Sequence, residues 1–309
     1  MFSWIVEGRL EESKQQLWNA RVPKRGEMMR HQVSISFACL LIFGLSSVSF
    51  AANRVSTSAY SSNQSSPNFD AAAEREFLAL ANRARADAGV PPLQADEGLT
   101  QAARAHSAAM AERRQLSHQL PGEPGLSERI AATSHLLLDQ SGENVAYAGS
   151  VTQAQNGLMH SPPHRENLLN PAYNLVGIGV AWSGTLLYVT QDFGHGLRTY
   201  SVAQAEDIAS KSVGEVRRVA HLPNLTRADN TEAREVSCAM SRADSVNTPG
   251  PRDRGIFVLR YTTMQPEVIP SSAQQVIDDP RTQSFAVGVC YARTNTYPSG
   301  VYWFTLILY

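Results

Sequence analysis

The 309-residue chain exceeds one ordinary domain length and sets 27 Lys and Arg against 28 Asp and Glu. Two folded units are therefore expected, and net charge gives no case for nucleic acid or an anionic membrane surface as partner. Hydrophobic residues make up 43% of the chain, which fits a globular protein rather than a disordered one, and no internal repeat stands out.

In chain order, residues 1–27 sit awkwardly ahead of a targeting signal and read as the product of an upstream start site. From Met28 the pattern changes. Arg30 and His31 precede an apolar run over residues 33–50, which falls short of the ~20 residues of a spanning helix and ends in Ser49-Phe50-Ala51, the small-x-small pattern that precedes signal-peptidase cleavage. Residues 28–51 are thus expected to be a signal peptide cut after Ala51, with an uncleaved anchor as the alternative. On the first reading the mature protein has no transmembrane span and is secreted or periplasmic. Residues 52–69 are rich in Ser and Asn and form a flexible linker. Cys39 lies inside the removed segment and away from its end, which argues against a lipid-anchored cysteine. Cys238 and Cys290 remain as a pair that can form a disulfide in an oxidising compartment, and two buried thiols are the alternative.

Folding starts near Asp70. Phe77, Leu80, Ala81 and Ala84 recur at helical spacing and stop at Gly89, before Pro91 and Pro92. A second helix after Asp96 places Leu99, Ala103, His106 and Met110 on one buried face, with His106 as a hydrogen-bonded core histidine. Its exit leads to His118. A short helix over 127–132, the tripeptide Gly142-Glu143-Asn144 and a helix running to Met159 follow, and Ser161-Pro162-Pro163 breaks that helix just before His164. Residues 176–181 and 186–190 read as strands joined across Ser183-Gly184. Helices followed by paired strands predict an α+β layered domain over 70–199. Residues 200–227 read as a polar, partly helical connector. Residues 228–309 form a smaller β-rich C-terminal domain with strands over 256–261, 285–292 and 301–308.

His118, Glu143 and His164 are the residues with chemistry to offer, each expected at an element end where side chains converge on a cleft. Two neutral imidazoles suit zinc or another divalent cation, with a carboxylate as ligand or as the hydrogen-bond partner of a ligand. His160 would pair with His164 on an unbroken helix, but the two prolines argue against it and leave His160 capping or facing solvent. Asn144 is read as holding a local turn. Gly177 and Gly179 are read as permitting close packing, since the GxGxxG context for phosphate binding is missing. Neither a nucleophile elbow, an HExxH nor a P-loop occurs.

The segments ARAHSAAMAERRQLSH, GENVAYA, SPPHRENLLNPAYNLVGIGVAW and VTQDFG resemble, in order and spacing, the bacterial branch of the CAP superfamily, which also holds cysteine-rich secretory proteins, antigen 5 and pathogenesis-related 1 proteins. The resemblance implies an α-β-α sandwich whose cleft carries two histidines and two glutamates. Matched motif by motif, it implies His118, Glu143 and His164 for three of these. The second glutamate has no counterpart, because residues 144–163 offer only Gln153, Gln155, His160 and Ser161, and neither Glu166 nor Asp192 matches the motif. Any zinc or other divalent cation is therefore expected to be weakly held. The C-terminal stretch resembles extensions found beside some bacterial CAP domains. Its Tyr291, Tyr297, Tyr302, Trp303 and Phe304 are assigned to core and interface packing rather than to a ligand face. The functional expectation is non-catalytic binding of an unknown envelope ligand or lipid. The alternatives are a metal-assisted hydrolase with Glu143 as candidate catalytic base, and a structural or adhesive module.

Overall fold

The computed structural model describes residues 69–248 and 257–309. The expected signal peptide, Cys39 and nearly all of the 52–69 linker lie outside the described residues. The elements run α1 (Ala71–Asp87), β1 (Gln94–Ala95), α2 (Glu97–Arg113), α3 (Leu126–Thr133), β2 (Leu137–Ala148), α4 (Val151–His160), α5 (Pro162–Leu169), β3 (Leu175–Ser183) and β4 (Leu186–Leu197). They continue through α6 (Val202–Val219), β5 (Thr226–Arg227), α7 (Thr231–Ala243), β6 (Phe257–Thr263), α8 (Ser271–Ile277), β7 (Ser284–Ala292) and β8 (Val301–Leu308).

Local chemistry sets these boundaries. Asp70 and Asp96 cap α1 and α2 by accepting from backbone amides of the first turn. Gly89, at φ +71°, takes the chain out of α1 through left-handed backbone. Pro162 and Pro163 do not merely break α4; they occupy the first turn of α5, where a missing N–H costs nothing. His164 therefore lies inside a helix and Glu143 in the middle of β2. The expectation of element ends holds only for His118, which follows α2 in a loop.

The first sheet has the order β1-β3-β4-β2, antiparallel except for the short parallel β1–β3 pair. Alternation along β4 sends Leu187, Val189 and Phe193 to one face, against Phe77 of α1, Ala154 of α4 and Leu168 of α5. Tyr188 faces the opposite side with Met110 of α2. Fully burying a side chain such as Phe77 contributes about 2 to 3 kcal/mol. The result is a sheet sandwiched between two helical layers.

The second sheet has the same order, β5-β7-β8-β6, with the same parallel and antiparallel pairs. The agreement extends to side chains. Arg104 pairs with Glu74 and Arg234 with Glu206, and each glutamate also accepts a strand amide, from Val180 and Val289 respectively. Ser107 Oγ donates to Gly179 O as Ser237 Oγ does to Gly288 O, and each serine also bonds a threonine, Thr190 or Thr305. Buried Arg85 reaches Pro91 O, Leu168 O and Asn170 O, while Arg217 reaches Pro223 O, Ile277 O and Asp279 O.

The chain is therefore built from two copies of one α/β/α arrangement, although the sequence shows no repeat at first sight. The β-rich C-terminal unit does hold a four-stranded sheet, and it also carries three helices. Residues 202–219, expected in a connector, form α6, whose Ala205, Ala209 and Val213 are buried against β7 and β8. Cys238 and Cys290 are joined, stapling α7 to β7 across a sequence separation of 52; closing a loop of that size contributes about 3 to 4 kcal/mol in the chain-entropy account.

In both copies a glycine lets the helix touch the sheet backbone. A Cβ on Gly179 would stand 2.2 Å from Arg104 N, and one on Gly288 would stand 2.1 Å from Arg234 N. We expect Gly179→Ala and Gly288→Ala each to cost about 3 kcal/mol, read as a lowered urea midpoint at unchanged slope. A wild-type midpoint for either would contradict the shared packing.

Candidate functional site

β2 is the edge strand of the first sheet, and the two helical layers meet along it. Asn167 of α5 donates to the outward carbonyl of Glu143 and to Asn144 Oδ1, at 3.2 Å each, which seats α5 against the exposed edge. Asn144 Nδ2 in turn reaches His164 O at 3.0 Å. Asn144 thus ties α5 to the strand rather than holding a turn.

Glu143 is the centre of the cluster. His118 Nδ1 donates to its Oε1 at 2.7 Å, and Arg129 of α3 donates to its Oε2. The same guanidinium bonds His118 O and Pro124 O, both at 3.1 Å, so one side chain fixes both the loop and the carboxylate. His106, fully buried on α2, places Nδ1 2.7 Å from Glu123 Oε1 and Nε2 2.9 Å from Ser117 O. It is the hydrogen-bonded core histidine expected, but with acidic company, because Nε2 also lies 3.8 Å from Glu143 Oε2.

Asp192, which the motifs passed over, lies opposite Glu143 in the β2–β4 register and is fully buried. Neither of its oxygens meets an N–H or hydroxyl donor among the described residues. Burial and the adjacent Glu143 push its carboxyl well above the usual carboxylate range. Burial beside Glu143 thus favours the protonated form of Asp192. The signal available in the sequence was strand register: once β2 and β4 pair, an acid in VTQDFG faces the acid of GENVAYA.

The structure brings His118 and His164 together from opposite helical layers, with ring centroids 6.5 Å apart and planes within 17°. His164 Nδ1 lies 2.7 Å from Ser161 Oγ. Burial and the neighbouring His118 lower its pKa, which favours the neutral imidazole. With Nδ1 of His118 committed to Glu143, Nε2 is the nitrogen that can take a metal or a proton. An ion held at about 2.0 to 2.1 Å by two such rings requires centroids about 5 Å apart at a tetrahedral angle and about 6.4 Å when opposed. At 6.5 Å the pair stands just beyond that range, so a shared ion would need the two rings to move closer. Glu143 has both oxygens engaged, and among the described residues no group of three His, Cys, Asp or Glu side chains is placed to hold an ion. His160 does not join the pair: its Nδ1 lies 2.7 Å from Asn156 O of its own helix.

The second copy serves as an internal control. The equivalences fixed by the shared bonds and strand registers put Val236, Val258, Ile307 and Ala273 where the first copy has His106, Glu143, Asp192 and His164. The fold is thus complete without the polar cluster, which sets that cluster apart from the framework.

A model of the cysteine-rich secretory protein family, CAP, matches residues 78–193. The Bacillus subtilis (strain 168) protein YkwD is 35% identical over 133 residues, covering 42% of this chain and 49% of its own length. YlbC of the same organism, described as a membrane protein, is 33% identical over 121 residues, covering 39% and 34%. The match thus spans half or less of these relatives. A solved extracellular protein containing an SCP domain from Bacillus anthracis str. Ames is 27% identical at a TM-score of 0.36, covering 40% of each chain.

Asp192 supplies a pH test. Its raised folded-state pKa means that folding retains a proton which the unfolded chain releases near pH ~3.9. The stability it contributes is fully present below that pH and is lost as the pH rises through the folded-state value. Relative to wild type, Asp192→Asn should gain up to about 1.4 kcal/mol per pH unit above pH ~4, levelling off beyond the folded-state value. Parallel stability–pH curves for the two proteins in urea melts would show Asp192 ionised in the fold.

Proposed function

Residues 78–193 place this chain in the CAP family, and from that premise we propose that it is an exported, non-catalytic binding protein of the cell envelope whose ligand is taken at the His118–His164 cleft. A weakly held divalent cation, zinc by ligand type, completes the cleft, with His118 Nε2 and His164 as its protein donors. What carries the reading is the contrast between the copies: one framework, and a polar cleft in only one of them. Burying an ionic cluster is expensive unless it is fully paired, and the C-terminal copy keeps the fold with Val258 and Ile307 at the equivalent positions.

Binding is preferred to hydrolysis for a specific reason. A carboxylate acts as general base only with an oxygen open to a water, and Glu143, the candidate base, has Oε1 on His118 and Oε2 on Arg129. Its role is to hold the tautomer and direction of His118, a partner whose loss weakens a metal site about tenfold or more. Export rests on the signal-like N-terminal segment, on family membership and on the disulfide. No described helix is long and apolar enough to cross a membrane.

Calorimetric titration with zinc is expected to give weak binding by the whole chain. That binding should disappear in the His118→Ala, His164→Ala double variant and weaken about tenfold in Glu143→Gln. Identical titrations of wild type and double variant would remove the metal. Hydrolysis of a peptide library that vanishes in Glu143→Gln would replace binding with catalysis.

A further inference from the structure

The segment between the clamp and the carboxylate, residues 129–143, is held at its middle by the other copy. Arg293, just past the end of β7, donates through Nη2 to Ala131 O in α3, and its Nη1 stands 3.4 Å from His135 Nδ1. Its Nε is fixed at 2.6 Å to Pro298 O of its own loop, so the guanidinium is a preset fork rather than a swinging chain. Two residues beyond His135, fully buried Leu137 opens β2 from within the hydrophobic cluster built by α6, α8, β7 and β8 of the C-terminal copy. Leu197, paired with Leu137 at the end of β4, packs on the same cluster.

Upstream of this anchor, Arg129 of α3 clamps Glu143 and the His118 carbonyl. Downstream, β2 carries Glu143 itself. Within its own copy the end of α3 is tied by Thr133 Oγ1 to Gly98 O at 2.7 Å and by Ile130, buried against Leu99, Ala102 and Leu138. The C-terminal copy has apolar residues in place of the cleft cluster, yet it grips the helix on which that cluster depends.

We infer that the C-terminal copy is a brace for the cleft of the first, not a second binding module, and that Arg293 is its positioning residue, acting through α3 on Arg129 and hence on Glu143 and His118. Arg293 touches neither imidazole of the cleft. Its effect passes through the placement of α3, since a shift of a few tenths of an ångström at Arg129 alters the hydrogen bond that orients His118. The brace needs no metal. Only the zinc arm of the test rests on the proposed function.

The test compares the full chain with Arg293→Met and with Tyr302→Phe. The second variant removes the bonds between the Tyr302 hydroxyl and the Tyr200 backbone while keeping the ring in the cluster that seats Leu137, and so controls for general loosening of the C-terminal copy. The readout is the ¹⁵N–¹H imidazole correlation of His118 Nδ1. It is expected to move or broaden in Arg293→Met, to stay in place in Tyr302→Phe, and to return in Arg293→Lys, which can still donate to Ala131 O. Zinc affinity should fall about threefold to tenfold in Arg293→Met alone. A His118 signal identical to wild type in Arg293→Met overturns the inference, whatever happens to the melting temperature. So does a signal that moves equally in both variants. If the wild type takes up no zinc, the metal reading fails and the His118 correlation still decides the brace. If Arg293→Met does not fold, Arg293→Gln is compared with Tyr302→Phe by the same criterion.

Discussion

Everything in the first copy hangs on how closely α2 lies on its sheet. Gly177 and Gly179 admit the helix to backbone contact, with a virtual Cβ only 2.0 Å from Leu99 C at Gly177. Interhelical or helix–sheet spacing is normally set by side-chain volume; here it is set by the absence of side chains. That approach puts Ser107 within 2.8 Å of both Gly179 O and Thr190 Oγ1, and it carries His106 to 3.8 Å from Glu143. The C-terminal copy repeats the approach at Gly288 and adds a disulfide on the same helix–strand seam, where the first copy has Ala108 and Ala181.

On this shared frame the copies diverge in what lies next to it. The first buries Arg129, His106, Glu143 and Asp192 beside the half-buried Glu123, and its Arg129–Glu143 and His106–Glu123 bonds offset much of the cost of burying them. The second places Val258 and Ile307 at the corresponding strand positions, which by itself is the cheaper solution. The stretch between helix and edge strand differs to match. Residues 115–136 of the first copy include α3 and the loop bearing His118 and Glu123, a longer stretch than residues 245–256 of the second. A cluster without its clamp would be a set of unpaired buried charges, so in the first copy the cluster requires Arg129.

Much of this was legible in the residues. The helix faces containing Phe77, Leu99 and Met110, the β3–β4 hairpin across Gly184, and the three C-terminal strands all follow from periodicity and turn chemistry. Three features were not. Glu143 was expected at an element end because Gly142-Glu143-Asn144 reads as a turn; the tripeptide stays extended because an eleven-pair ladder with β4 and the bonds from Asn167 of α5 outweigh its propensity. Asp192 became visible only through register, since nothing along the chain announces that it faces Glu143.

The duplication is the instructive miss. Ala103-Arg104 with Ser107, Ala109 and Met110 recurs as Ala233-Arg234 with Ser237, Ala239 and Met240, and Gly179-Val180 recurs as Gly288-Val289. These are the residues that make the repeated bonds and close contacts: the arginine to its glutamate, the serine to the glycine carbonyl, the glycine under the helix. A search for repeated motifs weights the conspicuous residues, here the histidines and GEN, and those are the ones that differ between the copies. What persists is the sparse set that fixes where backbone meets backbone. In a duplicated domain with one working cleft, the repeat has to be sought in contact-making glycines, serines and buried ion pairs, because the cleft residues are free to change once a second copy no longer needs to bind.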